Sequence, residues 1–361
     1  MHLLLILSAG LYFAFVLFII AGLFRHTTLK VDSLEDAPMA SVVIAARNEE
    51  ANLPDLIQDL INQEYPIDKL EVIIVDDRST DATSTILSDA AETYGLIHTI
   101  RIEKKSGHMT PKKYALSLGI ESAKGDVILS TDADCRVNPF WVSSMVYSVL
   151  ESDGISIGYS KVTTLSFFDQ YQRLDFLGII ATNAGAAGWG QYWSGTGQNL
   201  AYKKSHYESV NGFEPVKDEL SGDDMYLVQA ISKKHTGFLN IDPNSFVETS
   251  PMASLDHFIN QRSRWASNSR KNVDQSPVFF TFLSSAFLCN TFLLLNFLSG
   301  QDWFSVYMMK FMLEGAVLFL GGRLFETALS PMAYGLWSIL QPIYIPLIAM
   351  KGLMNQFQWK P

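Results

Sequence analysis

Apolar residues along this chain fall into two regimes, long uncharged runs near both ends and short punctuated runs between them. Residues 3–24 carry no charge, and a helix that crosses the hydrocarbon core needs roughly 20 such residues. Residues 278–298 and 332–350 are equally uncharged, while 303–322 contains only Lys310 and Glu314. The pattern therefore predicts an N-terminal transmembrane helix within 1–24 and a C-terminal membrane region, 276–361, with about three apolar segments. A signal peptide is the competing reading of the first run. It fits less well, because no Lys or Arg precedes the run, the run is too long, and no small-x-small cleavage site follows.

Residues 25–275 alternate in a different way. The β-branched run 41–46 predicts a buried strand. Asn48 is a candidate cap for the helix that follows, with Glu49 and Glu50 in its first turn. Leu53, Leu56, Ile57, Leu60 and Ile61 then recur at helical spacing, and Pro66 ends the stretch. Strands are predicted over 72–75, 97–102 and 127–130, and helices over 81–94 and 112–123. This βαβα rhythm implies a mostly parallel sheet with flanking helices. Further on, 167–180 has roughly helical spacing, 200–203 is a strand, and 254–271 is an amphipathic helix suited to a membrane interface.

Charge places these elements. Arg25 and Lys30 follow the first apolar run, and Arg262, Arg264, Arg270 and Lys271 precede the second. Basic residues near membrane ends mark the cytoplasmic side, so an integral membrane protein with a cytoplasm-facing central domain is expected. Arg323 lies on that near side, and the loop 299–302 has no basic residue. Four crossings would send Lys351 and Lys360 to the far side, which points to one apolar segment being re-entrant or interfacial. Residues 30–38 form a polar linker. The 361-residue chain has a formal charge of −10, which leaves no basic stripe for nucleic acid. Cys135 and Cys289 are distant in sequence and predict no disulfide. His206, His235 and His257 share no ligand spacing and read as surface residues.

Candidate chemistry lies where strands end and helices begin. Asp76 and Asp77 close one predicted strand, and Asp132-Ala133-Asp134 follows another. Parallel sheets bind ligands beyond the carboxyl ends of their strands, so folding brings both pairs to one edge. Crowded carboxylates call for a cation, and Mg²⁺ typically takes one or two carboxylates plus substrate phosphates. Gly222-Asp223-Asp224 starts a helix, where aspartate is also a good cap. Gln261, Arg264 and Trp265 share one helix face. Gly195-Thr196-Gly197-Gln198-Asn199 is glycine-rich but lacks a P-loop ending. Lys310 and Glu314, one turn apart, suit mutual neutralisation in the bundle.

In these motifs the chain resembles the membrane-bound inverting glycosyltransferases of family 2, the group of cellulose, chitin and hyaluronan synthases and ceramide glucosyltransferase. The resemblance runs from about residue 41 to 265 and implies a GT-A fold. Ala45-Ala46-Arg47-Asn48-Glu49-Glu50 is similar to the family's first nucleotide-binding loop. Val75-Asp76-Asp77-Arg78-Ser79-Thr80-Asp81 is similar to its Val-Asp-Asp-Gly-Ser-x-Asp signature, with Arg78 where glycine is usual. By resemblance, Ala46, Arg47, Glu49, Asp76, Asp77, Lys112 and Asp132 would bind the donor, with Lys113 a rival to Lys112. Asp134 and Asp132 would hold Mg²⁺ or Mn²⁺ on the diphosphate. Asp224 would be the general base with Asp223 beside it, and Gln261, Arg262, Arg264 and Trp265 would serve acceptor and diphosphate. The expected partners are a nucleotide-sugar donor, a lipid or glycan acceptor and the membrane, with UDP-sugar the favoured donor. A processive polysaccharide synthase, a polyprenyl-phosphate sugar transferase and a catalytically silent membrane scaffold are the alternatives.

Overall fold

A computed structural model describes residues 1–29 and 37–357. Lys30, most of the expected linker at 30–38, and Lys360 lie outside the described residues. The chain forms two compact units, 27–161 with 194–250, and 1–26 with 162–193 and 251–361. Residues 162–193 and 251–275, grouped by sequence with the central domain, thus cluster with the long apolar helices. Elements are numbered in chain order through both units.

The first unit is built on a seven-stranded sheet of order β3-β2-β1-β4-β8-β6-β9. These strands are β1 (Ala40–Ala46), β2 (Leu70–Asp77), β3 (Ile97–Ile102), β4 (Val127–Ser130), β6 (Ile155–Ile157), β8 (Leu200–Lys203) and β9 (Gly237–Leu239). β1 to β4 are parallel neighbours, β8 runs antiparallel to β4 and β6, and β6 and β9 are parallel. The expected mostly parallel sheet forms. Its central strands are buried on both faces, which is why they read as continuous apolar runs. On one face Val42, Ile44, Val72, Ile74 and Leu129 pack with α2 (Leu53–Ile61), α3 (Thr83–Thr93) and α5 (Trp141–Ser152). On the other, α4 (Pro111–Ser122) comes so close that a Cβ on Gly119 would strike the Val43 side chain. A small sheet of β5 (Cys135–Val137), β10 (Val247–Thr249) and β7 (Ser160–Val162), with α7 (Lys204–Ser209) and α8 (Asp223–Lys234), completes the unit.

Register sets the edge that matters. Ala46 pairs with Asp76, and Val43 with Ser130, so the chain leaves β1, β2 and β4 on the same side. Two local expectations need correction. Asn48 does not cap α2, which starts at Leu53 after Asn52. Instead Asn48 takes φ 53°, and its Oδ1 accepts from the Thr80 N–H at 2.8 Å, tying two loops together. His206 is buried rather than surface-exposed, because its ring stacks on His235 at 3.7 Å; burial first, then His235, lowers its pKa.

The second unit contains four helices long and apolar enough to cross a membrane: α1 (His2–Leu23), α11 (Pro277–Leu298), α12 (Phe304–Leu324) and α13 (Pro331–Leu353). With them are α6 (Phe167–Ala187), α9 (Leu255–Ser267) and the short α10 (Asn272–Gln275). Ser166 and Asp169 form a capping box at the start of α6. Lys310 Nζ donates to Glu314 Oε2 at 2.8 Å, and Tyr12 donates to Glu314 Oε1 at 2.6 Å. The two charges therefore neutralise each other among the long apolar helices.

Candidate active site

Two loops at the sheet edge meet around Asp76 and Asp77. Both carboxylates are buried, so both need partners. Asp76 Oδ1 accepts from the Ser79 N–H at 2.9 Å and Oδ2 from the Ser84 hydroxyl at 2.6 Å. Asp77 is forked by Arg78, with Nε to Oδ1 at 2.7 Å and Nη2 to Oδ2 at 3.0 Å; Arg47 Nη1 stands 3.9 Å from Oδ2. Arg78 has φ 57°. A left-handed backbone favours glycine, which explains physically why glycine is usual there. The first loop is braced on the second, since the N–H groups of Asn48 and Glu49 donate to Ser79 Oγ at 3.0 Å and Thr83 Oγ1 at 2.8 Å. The Glu49 carboxylate accepts from Asn52 Nδ2 at 2.7 Å. Ala46 lies buried at the strand end.

A second group forms where β4 ends. Asp132 and Asp134 are half-buried in the turn after it, closed by the Cys135 N–H to the Asp132 carbonyl at 3.1 Å. From the first turn of α4, Lys112 Nζ reaches Asp132 Oδ1 at 2.6 Å. Burial alone would lower the Lys112 pKa, but Asp132, Asp223 and Asp224 outweigh it and hold the ammonium well above its usual range. Lys113 points elsewhere: it is buried and donates to the Glu219 carbonyl. The structure thus separates two lysines that the sequence left level.

Asp223 and Asp224 open α8 behind Gly222, whose φ is 83°. Asp224 Oδ1 accepts from the Met225 N–H at 2.7 Å and Oδ2 from the Gly197 N–H at 3.1 Å. Desolvation by burial, and then the charge of Asp223, push the Asp224 pKa up to about 6. Gly197 lies at the centre of this group. A Cβ there would be 3.5 Å from Lys112 Nζ, 3.8 Å from Asp224 Cβ and 4.0 Å from Asp223 Oδ2. Asp223 and Asp224 also line, with Ser130, Leu116 and Tyr202, a pocket of about 10 Å³, room for about one water.

Sequence reasoning missed Asn199. Its Oδ1 accepts from Trp141 Nε1 at 3.0 Å, and its Nδ2 donates to the carbonyls of Tyr159 at 2.9 Å and Ser245 at 2.7 Å. This saturated, buried amide fixes the loop that carries Gly197. The only signal was its place at the end of the glycine-rich segment.

Among the described residues, no group of three or more His, Cys, Asp or Glu is arranged to hold a metal ion. The half-buried Asp132 and Asp134 instead offer oxygen donors of the kind Mg²⁺ takes from protein when phosphates supply the rest. A divalent ion there would share Asp132 with the Lys112 ammonium, which already engages its Oδ1.

Gln261, Arg262, Arg264 and Trp265 lie on α9 in the unit of long helices. Arg262 is buried there and donates from Nε to Asp175 Oδ2 at 2.7 Å. Its guanidinium stacks 4.3 Å from the Trp265 ring and 4.6 Å from Phe258, and gives a hydrogen bond to Gln261 Oε1 at 2.5 Å. Trp265 also packs on Phe176 at 5.7 Å. Asp175 went unnoticed in the sequence because its partner is far along the chain.

Residues 41–210 match the profile of glycosyl transferase family 2. The chain is 29% identical over 212 residues to a probable glycosyltransferase, YdaM, of Bacillus subtilis, covering 55% of this chain and 50% of that protein. It is 27% identical over 245 residues to a beta-monoglucosyldiacylglycerol synthase of Synechocystis, covering 63% and 47%. It thus spans about half the length of these curated relatives. Among solved structures, it resembles the mannosyltransferase PcManGT of Pyrobaculum calidifontis in complex with GDP-Man and Mn²⁺. The TM-score is 0.64 at 17% identity, over 98% of this chain and 99% of that one, and this likeness concerns the fold.

Proposed function

The chain belongs, through residues 41–210, to glycosyl transferase family 2, and from that premise we propose that it moves a sugar from a nucleotide-diphosphate donor to a lipid or lipid-linked hydroxyl, with inversion. The observation that carries this reading is the convergence of Lys112, Asp132, Asp223 and Asp224 around Gly197. A base is held there beside a cation suited to a departing diphosphate.

Asp224 accepts the proton of the acceptor hydroxyl as the oxygen attacks the anomeric carbon. A carboxylate with a pKa near 6 is a better base at neutral pH than an ordinary aspartate. Burial, and then Asp223, keep that pKa high, and the Met225 and Gly197 N–H groups hold the carboxylate in one orientation. Asp76 and Asp77, with Arg47, Arg78, Glu49 and Ala46, form the nucleoside side. Lys112 offers positive charge to the diphosphate as the sugar bond breaks. A divalent ion, Mg²⁺ or Mn²⁺, held by Asp132 and Asp134 would add charge stabilisation for the leaving group. The acceptor-side roles of Gln261, Arg264 and Trp265 rest on their motif, while Arg262, paired with Asp175, positions that helix.

UDP-sugar remains the favoured donor. A lipid acceptor is supported by the long apolar helices and by the glucosyldiacylglycerol synthase relative. The test is a membrane-fraction assay with labelled UDP- and GDP-sugars, followed by mass spectrometry of extracted lipids. One sugar should pass to a lipid, EDTA should stop transfer, and added Mg²⁺ or Mn²⁺ should restore it. Long polymer as the sole product would replace this reading with a processive synthase, and absence of turnover with every donor would defeat it.

A further inference from the structure

We infer that α13 does not cross the membrane but lies along one face of it, beside α9, with a stripe of apolar side chains in the lipid of that leaflet.

The two helices run side by side in the same direction. The Tyr344 ring stacks on Phe258 at 6.0 Å and 16°. Further along, Gly352 packs so close that a Cβ would lie 2.8 Å from Ala266 Cβ, the Ser263 carbonyl and the Ser267 nitrogen. From Tyr344 to Gly352, equal advances along α13 and α9 therefore stay in register, so this half of α13 crosses only if α9 does. The preceding residues 331–343, about 20 Å of helix, are too short to cross alone. At 13 residues, α9 is about 20 Å long, and it carries Asp256, His257, Gln261, Arg262 and Arg264. Charged residues at the centre of a membrane helix cost about 2.5–3.5 kcal/mol each by insertion scales. α9 cannot cross, and α13 follows it.

Contacts at the other end agree. Trp337 Nε1 donates to Asp175 Oδ1 on α6 at 3.0 Å. α6 itself meets the C-terminal turns of α1 and α12: Gly185 and Gly188 pack on Gly22, and Ala181 packs on Gly321. Those two turns share a face if α1, α11 and α12 cross. α13 begins shortly after α12 ends, and its last turn rests on α9, which leads through α10 into the start of α11. The last turn thus lies on the face where α12 ends, and the first turn leaves that face and dips into the same leaflet. Tyr334 reaches the Phe311 carbonyl within α12, so the first turn sits deepest. Pro342 and Pro346 each remove a helix N–H and permit a bend.

Lipid is the partner that fits the surface left over. Met332, Leu336, Ile339, Ile343, Leu347 and Met350 are exposed at steps of three and four, one face of a helix. Trp337, Ser338 and Gln341 are buried. The arrangement also brings Lys351 back to the face where α1 ends, as the distribution of basic residues requires.

The test uses the full chain in sealed vesicles of one orientation, with Thr28→Cys, Gln301→Cys and Asn355→Cys variants and a membrane-impermeant maleimide. The native Cys135 and Cys289 are buried. Asn355→Cys should label from the same side as Thr28→Cys and from the opposite side to Gln301→Cys; labelling together with Gln301→Cys overturns the inference. Spin labels at positions 336, 343 and 350 give an independent reading. A helix held in one leaflet keeps all three labels within that leaflet, whereas a crossing helix steps them by about 10 Å each and carries one into the far leaflet. A label in the far leaflet would likewise overturn it.

Discussion

Replacing Asp224 with Asn removes a base while keeping its shape. The amide retains an oxygen for one of the two N–H groups, Met225 or Gly197, that the carboxylate now accepts from. The other faces an NH₂, which costs about 1–3 kcal/mol. A gain opposes this loss. Moving the carboxyl from 3.8 to about 6 corresponds to about 3 kcal/mol of ionisation cost above the folded pKa. The sign follows from linkage: with the folded pKa raised, stability is fully present below about 3.8, falls as pH rises towards about 6, and then stays low. A neutral Asn escapes that cost, so Asp224→Asn should melt within a few degrees of the parent at pH 7.5 and lose its stability drop between pH 4 and 6. Transfer should fall roughly 10²–10⁴-fold, equivalent to about 3–5 kcal/mol of barrier. Donor binding should remain within a few-fold. The parent's kcat should climb with pH through about 6, and the residual rate of the variant should lack that limb. Near-normal transfer by Asp224→Asn, with donor binding intact, would refute the base assignment.

Other substitutions probe the supports of the same site. Lys112→Met should raise the donor KM and move the acid limb of the pH–rate profile upward, because Lys112 now holds the Asp224 pKa down; an unmoved limb would separate the two groups. Asn199→Ala leaves Trp141 Nε1 and two carbonyls without their partner, so a loss of about 3 kcal/mol should appear as a lower melting temperature. Gly119→Ala forces a methyl into Val43 and should cost about 1–3 kcal/mol while leaving the donor KM unchanged.

The sheet could be read from the sequence because its rule is local. β-branched runs followed by acidic residues and amphipathic stretches need no knowledge of distant partners, and Ile97–Ile102, Val127–Ser130 and Leu200–Lys203 begin and end as expected. Asp76, Asp77, Asp132 and Asp134 could be gathered to one edge for the same reason, since parallel strands share a carboxyl end. What escaped were pairings between distant residues. Nothing near Asn199 announces Trp141, and nothing near Asp175 announces Arg262. Asn48 shows the converse error: cap chemistry was present, but the left-handed backbone turned that side chain to the neighbouring loop.

The apolar helices carry this distinction furthest. Length and hydropathy treat α1, α11, α12 and α13 alike, because an average over a window contains no partner. Only α13 runs beside the charged α9, through Phe258 and Ser263 to Ser267, while also touching Asp175 on α6. If α13 lies in the interface, Arg262 is held from two sides, by Asp175 and by the Trp265 and Phe258 rings, beneath a helix anchored in lipid. Gln261, Arg264 and Trp265 then owe their orientation to the membrane surface as much as to their own sequence. An acceptor drawn from that surface is consistent with such a mounting, and a detergent that strips the leaflet should weaken acceptor use before donor binding.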